Sequence, residues 1–86
     1  MSRGVNWHET AWEDYEYWQS QDRKTLKKIN NLIKVAQRTP GEGAEPLKGD
    51  LSGYFSRHIN KKDVLVYTYN DDSITIIQCR FHYSHK

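Results

Sequence analysis

Seven side chains in the second half of the chain are of types that carry acid–base or phosphate chemistry: Glu45, Lys48, Arg57, His58, Arg80, His82 and Tyr83. Together they suit RNA cleavage. RNA brings its own nucleophile, the 2′-hydroxyl. A protein need supply only a base to deprotonate it, an acid to protonate the departing 5′-oxygen, and positive charge for the phosphorane transition state. Side chains alternate along a strand, so Gln78, Arg80 and His82 share one face and Cys79, Phe81 and Tyr83 the other if a strand runs through them. The set is permissive rather than specific, because each of these types is also a common surface residue.

Other chemistries find less support. His8, His58, His82 and His85 lack the spacings of zinc sites, and Cys79 has no cysteine partner. Gly41-Glu42-Gly43 has neither the preceding strand nor the following helix of a phosphate-binding loop. No nucleophile–base motif stands out, and no metal or cofactor is expected. One cysteine cannot form an internal disulfide, no apolar run is long enough to span a bilayer, and no signal-peptide stretch opens the chain. The expectation is a cytoplasmic protein with no membrane partner. The net charge of +2 says little, but its distribution says more. Residues 1–21 carry Arg3 against four acidic groups, whereas residues 22–38 carry Arg23, Lys24, Lys27, Lys28, Lys34 and Arg38 against Asp22 alone. Such a basic stretch attracts a polyanion, or is simply the solvated face of a helix.

The elements that must position these residues follow from periodicity. With 86 residues the chain is expected to be one domain, 1–86, and three Trp, six Tyr and two Phe give a small core much burial per residue. Residues 2–7 are expected as a short strand. A helix over 9–20 has Thr10 and Glu13 at capping-box spacing and Trp12, Tyr15 and Trp18 along one side. Asp22 can cap a second helix over 22–38, with Leu26, Ile29, Leu32, Ile33 and Ala36 as its apolar stripe. Thr39-Pro40-Gly41 ends it, and 40–53 reads as a loop. The segments 54–59, 64–69 and 74–83 are β-prone, separated by the polar turns 60–63 and 70–73. Helices first and strands later predict an α+β fold in which the helix pair covers one sheet face and leaves the other open.

The order of these pieces resembles a known family. Trp12-Glu13-Asp14-Tyr15-Glu16-Tyr17-Trp18, Lys27-Lys28-Ile29-Asn30, Arg38-Thr39-Pro40, Glu45-Pro46-Leu47-Lys48, Leu51-Ser52-Gly53-Tyr54, Ser56-Arg57, Leu65-Val66-Tyr67 and Cys79-Arg80-Phe81-His82-Tyr83 look like the successive motifs of YoeB toxins, within the RelE/ParE superfamily. The resemblance spans Val5 to Tyr83. It implies a microbial-RNase, RelE-like fold: two N-terminal helices packed on an antiparallel sheet of about four strands. It implies metal-independent, ribosome-dependent cleavage of mRNA that inhibits translation, and a YefM-like antitoxin. Members of the family can form a homodimer.

By the same resemblance Glu45 matches the general base. His82 matches a general acid or transition-state stabiliser, and Tyr83 a residue that orients the phosphate or stacks on a base. Lys48, Arg57 and His58 fall at or beside basic positions and are expected, with Arg80, to contact RNA phosphates. Three departures stand out. Asp63-Val64 replaces the usual His-Arg, whose arginine belongs to the catalytic set. Losing one preorganised charge donor costs on the order of a hundred- to a thousandfold in rate. The loop leading to Glu45 looks shorter than usual, and Ser84-His85-Lys86 extends past the usual His-Tyr end. These departures raise an alternative: an attenuated toxin-fold binding module that retains antitoxin or ribosome binding.

Overall fold

A two-helix hairpin lies across one face of a five-stranded sheet in the computed structural model, which describes residues 3–81. In chain order the elements are β1 (Gly4–Trp7), α1 (Glu9–Gln21), α2 (Arg23–Arg38), β2 (Glu45–Pro46), a 3₁₀ turn (Gly49–Leu51), β3 (Phe55–His58), β4 (Val64–Tyr69) and β5 (Ser73–Gln78). The expected site residues His82 and Tyr83, and the tail Ser84-His85-Lys86, lie outside the described residues.

The helices form where their apolar spacing predicts. On α2, Ile29, Ile33 and Ala36 are buried while Lys27, Lys28 and Lys34 are exposed. Asp22 is the only residue between the helices. Its backbone N–H closes the last turn of α1 on the Trp18 carbonyl, and its carboxylate accepts the N–H groups of Lys24 (3.1 Å) and Thr25 (3.2 Å). The α1 cap differs from the expected capping box. His8 is the N-cap, its Nδ1 accepting the Thr10 N–H at 3.4 Å, and Thr10 is already helical. The sheet decides this: the His8 N–H is the last to bond across to β5, at the Ile76 carbonyl (2.9 Å), so the chain turns into the helix at that residue.

The Thr25 hydroxyl, followed by its backbone N–H, holds the Asp22 carboxyl below the ordinary value of 3.8. A lowered carboxyl stabilises the fold above its unfolded value, and this contribution is lost as pH falls through the folded one. The thermal midpoint of the native chain is therefore expected to drop more steeply than that of Asp22→Asn as pH falls through and below the ordinary carboxyl value of 3.8. Parallel pH profiles in thermal melts would contradict this role for the cap.

The strand order is β1-β5-β4-β3-β2, with β1 parallel to β5 and every other pair antiparallel. The sheet thus has one strand more than about four and is mixed. The added strand, Glu45–Pro46, lies inside the segment read as a loop. Two residues carry no periodicity, and a proline is tolerated because β2 is an edge. A second difference is the end of β5. The register slips between Val66 and Tyr67, β5 stops at Gln78, and Phe81 takes a left-handed φ of 65°. A strand to residue 83 is broken by that geometry, in a stretch without the glycine that would have announced a turn.

Both sheet faces carry apolar clusters. The helix side holds the larger core, including Trp18, Ile29, Leu65, Tyr67, Ile74 and Ile76. The other face, expected to be open, is partly roofed: Leu47, Val64 and Val66 pack there with Leu51, Tyr54 and Ile77. Among the described residues, no helix is long and apolar enough to cross a membrane.

Candidate active site

The sheet register assembles the site. Cross-strand partners point to the same side of a sheet. Glu45 pairs with Ser56, Ser56 with Val66 and Val66 with Gln78, which makes one row across β2, β3, β4 and β5 on the face away from the helices. His58 pairs with Val64 two positions along, on the same face. Glu45 and His58 are exposed, whereas Val64 and Val66 beneath them are buried with Leu47. Lys48 is exposed immediately after Leu47. The arrangement is an apolar floor with one carboxylate and one imidazole at its rim. An apolar floor lowers the local dielectric and strengthens any charge interaction made above it.

The end of β5 borders the same face. Gln78 donates from Nε2 to the carbonyls of Arg80 and Phe81, both at 3.1 Å, and the Val64 N–H also reaches the Phe81 carbonyl at 3.1 Å. The chain therefore reaches residue 81 beside Val64, the partner of His58. Glu45 is three strand spacings from Gln78 along the row, roughly 14 Å.

Arg57 and Arg80 are placed elsewhere. Arg57 follows Ser56 and so points to the helix side. Its Nε donates to the Tyr67 hydroxyl (3.0 Å) and its Nη2 to the carbonyls of Thr39 (2.9 Å) and Glu42 (2.8 Å). The Tyr67 hydroxyl in turn donates to the Pro40 carbonyl. Burial raises the Tyr67 hydroxyl above its ordinary value, so it keeps the proton that this bond requires. Arg57 and Tyr67 thus tie down the loop that delivers Glu45. The Arg80 guanidinium lies 3.5 Å from the Tyr17 ring centroid and 4.4 Å from that of Phe81, against α1. It cannot share a face with Gln78 by strand alternation, because the strand has ended.

Of the seven expected residues, the structure brings Glu45 and His58 to one face, and Lys48 is exposed in the chain just after Leu47. It sets Arg57 and Arg80 apart, and His82 and Tyr83 are not described. Sequence reasoning misses Ser56, although its spacing from His58 carries the period-2 signal. Cys79 is not a nucleophile for this site: burial, then the charges of Asp14 and Asp63, pushes its thiol up to about 12.

The family model described as "YoeB-like toxin of bacterial type II toxin-antitoxin system" matches residues 7–83. The chain belongs to the YoeB toxin family. Toxin YoeB of Escherichia coli K12 is 52% identical over 80 residues, covering 90% of this chain and 95% of that one. A structure of the YoeB dimer from Staphylococcus aureus superposes with a TM-score of 0.88 at 42% identity, covering 96% of this chain and 100% of that one. The YoeB-YefM complex from the same organism gives 0.86 at 41% identity with the same coverage. The fold and the toxin role within a type II toxin–antitoxin system accordingly apply to this YoeB-family chain.

Proposed function

We propose that this YoeB-family chain is a metal-independent endoribonuclease that cleaves mRNA on the ribosome and so inhibits translation. Glu45 would act as the base that deprotonates the 2′-hydroxyl. His82 would protonate the leaving oxygen or stabilise the transition state, and Tyr83 would orient the phosphate. Lys48 and His58 would meet phosphate charge. Arg57 serves instead to hold the Glu45 loop, and Arg80 meets RNA only if it leaves Tyr17. The observation that supports this reading is that Glu45 is exposed on the same sheet face that the end of β5 borders. The proposed partners are a YefM-like antitoxin, the ribosome with its mRNA, and a second copy of the chain, as in the S. aureus complex and dimer. The proposed location is the cytoplasm.

The test is expression in bacteria, paired with a cleavage assay on purified programmed ribosomes. Growth arrest relieved by a YefM-like antitoxin, with mRNA cut only when ribosome-bound, is expected. Verified expression without arrest, alongside intact mRNA, refutes the reading.

One observation favours a second reading, an attenuated module that binds antitoxin or ribosome without appreciable cleavage. Val64 is fully buried in the apolar floor, so the position holds no charge donor at all. Tight antitoxin binding by a chain that leaves mRNA uncut would select it.

A further inference from the structure

Asp63 is a buried carboxylate, 8% exposed, at the turn between β3 and β4. The turn itself is tightly made. Asn60 Oδ1 accepts the N–H groups of Lys62 and Asp63, both at 2.8 Å, and the Asp63 carbonyl accepts those of Ile59 (2.9 Å) and Asn60 (3.2 Å). What the side chain does is not local. Its Oδ1 accepts the backbone N–H of Phe81 at 2.6 Å, eighteen positions away. The next residue, Val64, donates its N–H to the Phe81 carbonyl at 3.1 Å. Both backbone groups of Phe81 are therefore held by the Asp63-Val64 pair.

Phe81 needs such holding. It is the one described non-glycine residue with a positive φ, 65°, a conformation that side chains disfavour. The residue is 60% exposed, so core packing does not anchor it. The preceding residues are gripped in the same manner: the Cys79 N–H reaches the Asp14 carboxylate at 3.2 Å, and the Cys79 carbonyl accepts the Trp18 indole N–H at 2.8 Å. We infer that Asp63 is a positioning residue: its carboxylate holds Phe81, the residue that immediately precedes His82 and Tyr83 in the chain, in a left-handed turn. This rests on the ribonuclease reading for its effect on cleavage, though not for the turn itself. A charged acceptor is the strong choice, because a hydrogen bond to an ionised oxygen is roughly twice as strong as a neutral one. The role does not require Asp63 to touch RNA.

The test compares Asp63→Ala, Asp63→Asn and Asp63→Glu in the full chain. Amide hydrogen exchange reads the turn directly. In Asp63→Ala the Phe81 amide is expected to exchange at least about tenfold faster, with Ile76 in the core unchanged. On programmed ribosomes kcat is expected to fall about 10- to 100-fold, with KM held within roughly twofold. Asp63→Asn, which keeps an acceptor oxygen, restores most of both. Asp63→Glu keeps the charge but lengthens the arm, and shows an intermediate loss in both readouts. Unchanged Phe81 exchange in Asp63→Ala overturns the inference, as does faster exchange with wild-type kcat. If the alanine variant does not fold, Asp63→Glu decides, and wild-type exchange and kcat in it overturn the inference. A native chain that cleaves nothing refutes the ribonuclease reading and the effect on cleavage with it, while the exchange rates still decide whether Asp63 holds the turn.

Discussion

Glu45→Ala is expected to abolish growth arrest and leave the fold intact. Glu45 is exposed on a two-residue edge strand, so truncating it should change stability by no more than about 0.5 kcal/mol. Removing a positioned general base should lower the single-turnover cleavage rate by about a hundred- to ten-thousandfold. Glu45→Gln keeps the size and the pairing of β2 with β3 but cannot take the proton, so it should be equally inactive. His82→Ala is expected to be inactive as well. The check is a single-turnover assay on programmed ribosomes beside a thermal melt. A folded Glu45→Ala, His82→Ala double variant that still arrests growth would move the chemistry to another part of the molecule.

Val64→Arg is the second, and its expected sign comes from the structure. By resemblance alone, restoring an arginine should restore a charge donor. The structure places Val64 at 0% exposure on the apolar floor with Leu47 and Val66. A guanidinium there must either be buried without a partner or push out Leu47, and with it Lys48. Overpacking and an unpaired charge together are expected to lower stability by about 2–4 kcal/mol. Cleavage should not rise, because the displaced segment carries Lys48, a proposed phosphate contact, and closely follows Glu45. Denaturant midpoints and cleavage rates check both halves. A Val64→Arg protein of native stability that cuts about a hundredfold faster would show that the floor opens readily and that the native chain is attenuated.

The parts of this molecule that could be read from the residues are those in which pattern and length agree. The stripe Ile29, Ile33, Ala36 marked α2, Asp22 marked its cap, and the run Val64–Tyr69 marked β4. What escaped depends on partners distant in the chain. Nothing local at Gly4–Trp7 reveals that this strand lies parallel to β5, or that its end moves the helix cap from Thr10 to His8. Nothing at Phe81 reveals its left-handed φ, because Asp63 imposes it from the other side of a turn. The candidate site shows the same division. Glu45 and His58 could be named by type and motif, but the separation of Arg57 from His58 needed only alternation along β3. The burial of Val64 needed the roof formed by Leu47 and Leu51.

The parallel pairing of Gly4–Trp7 with Ser73–Ile76 has a consequence for how the toxin is made. Among the described strands the first to be synthesised lies against the last, so the sheet stays incomplete until β5 has been translated. Contacts between such distant segments form slowly compared with the helix hairpin. During synthesis the nascent toxin would therefore expose its apolar sheet residues while its helices are already competent to form. A cell making this protein accordingly has an interval in which the chain is present but the pairing of β1 with β5 is not formed. Synthesis order and topology together delay closure of the sheet until β5 has been made.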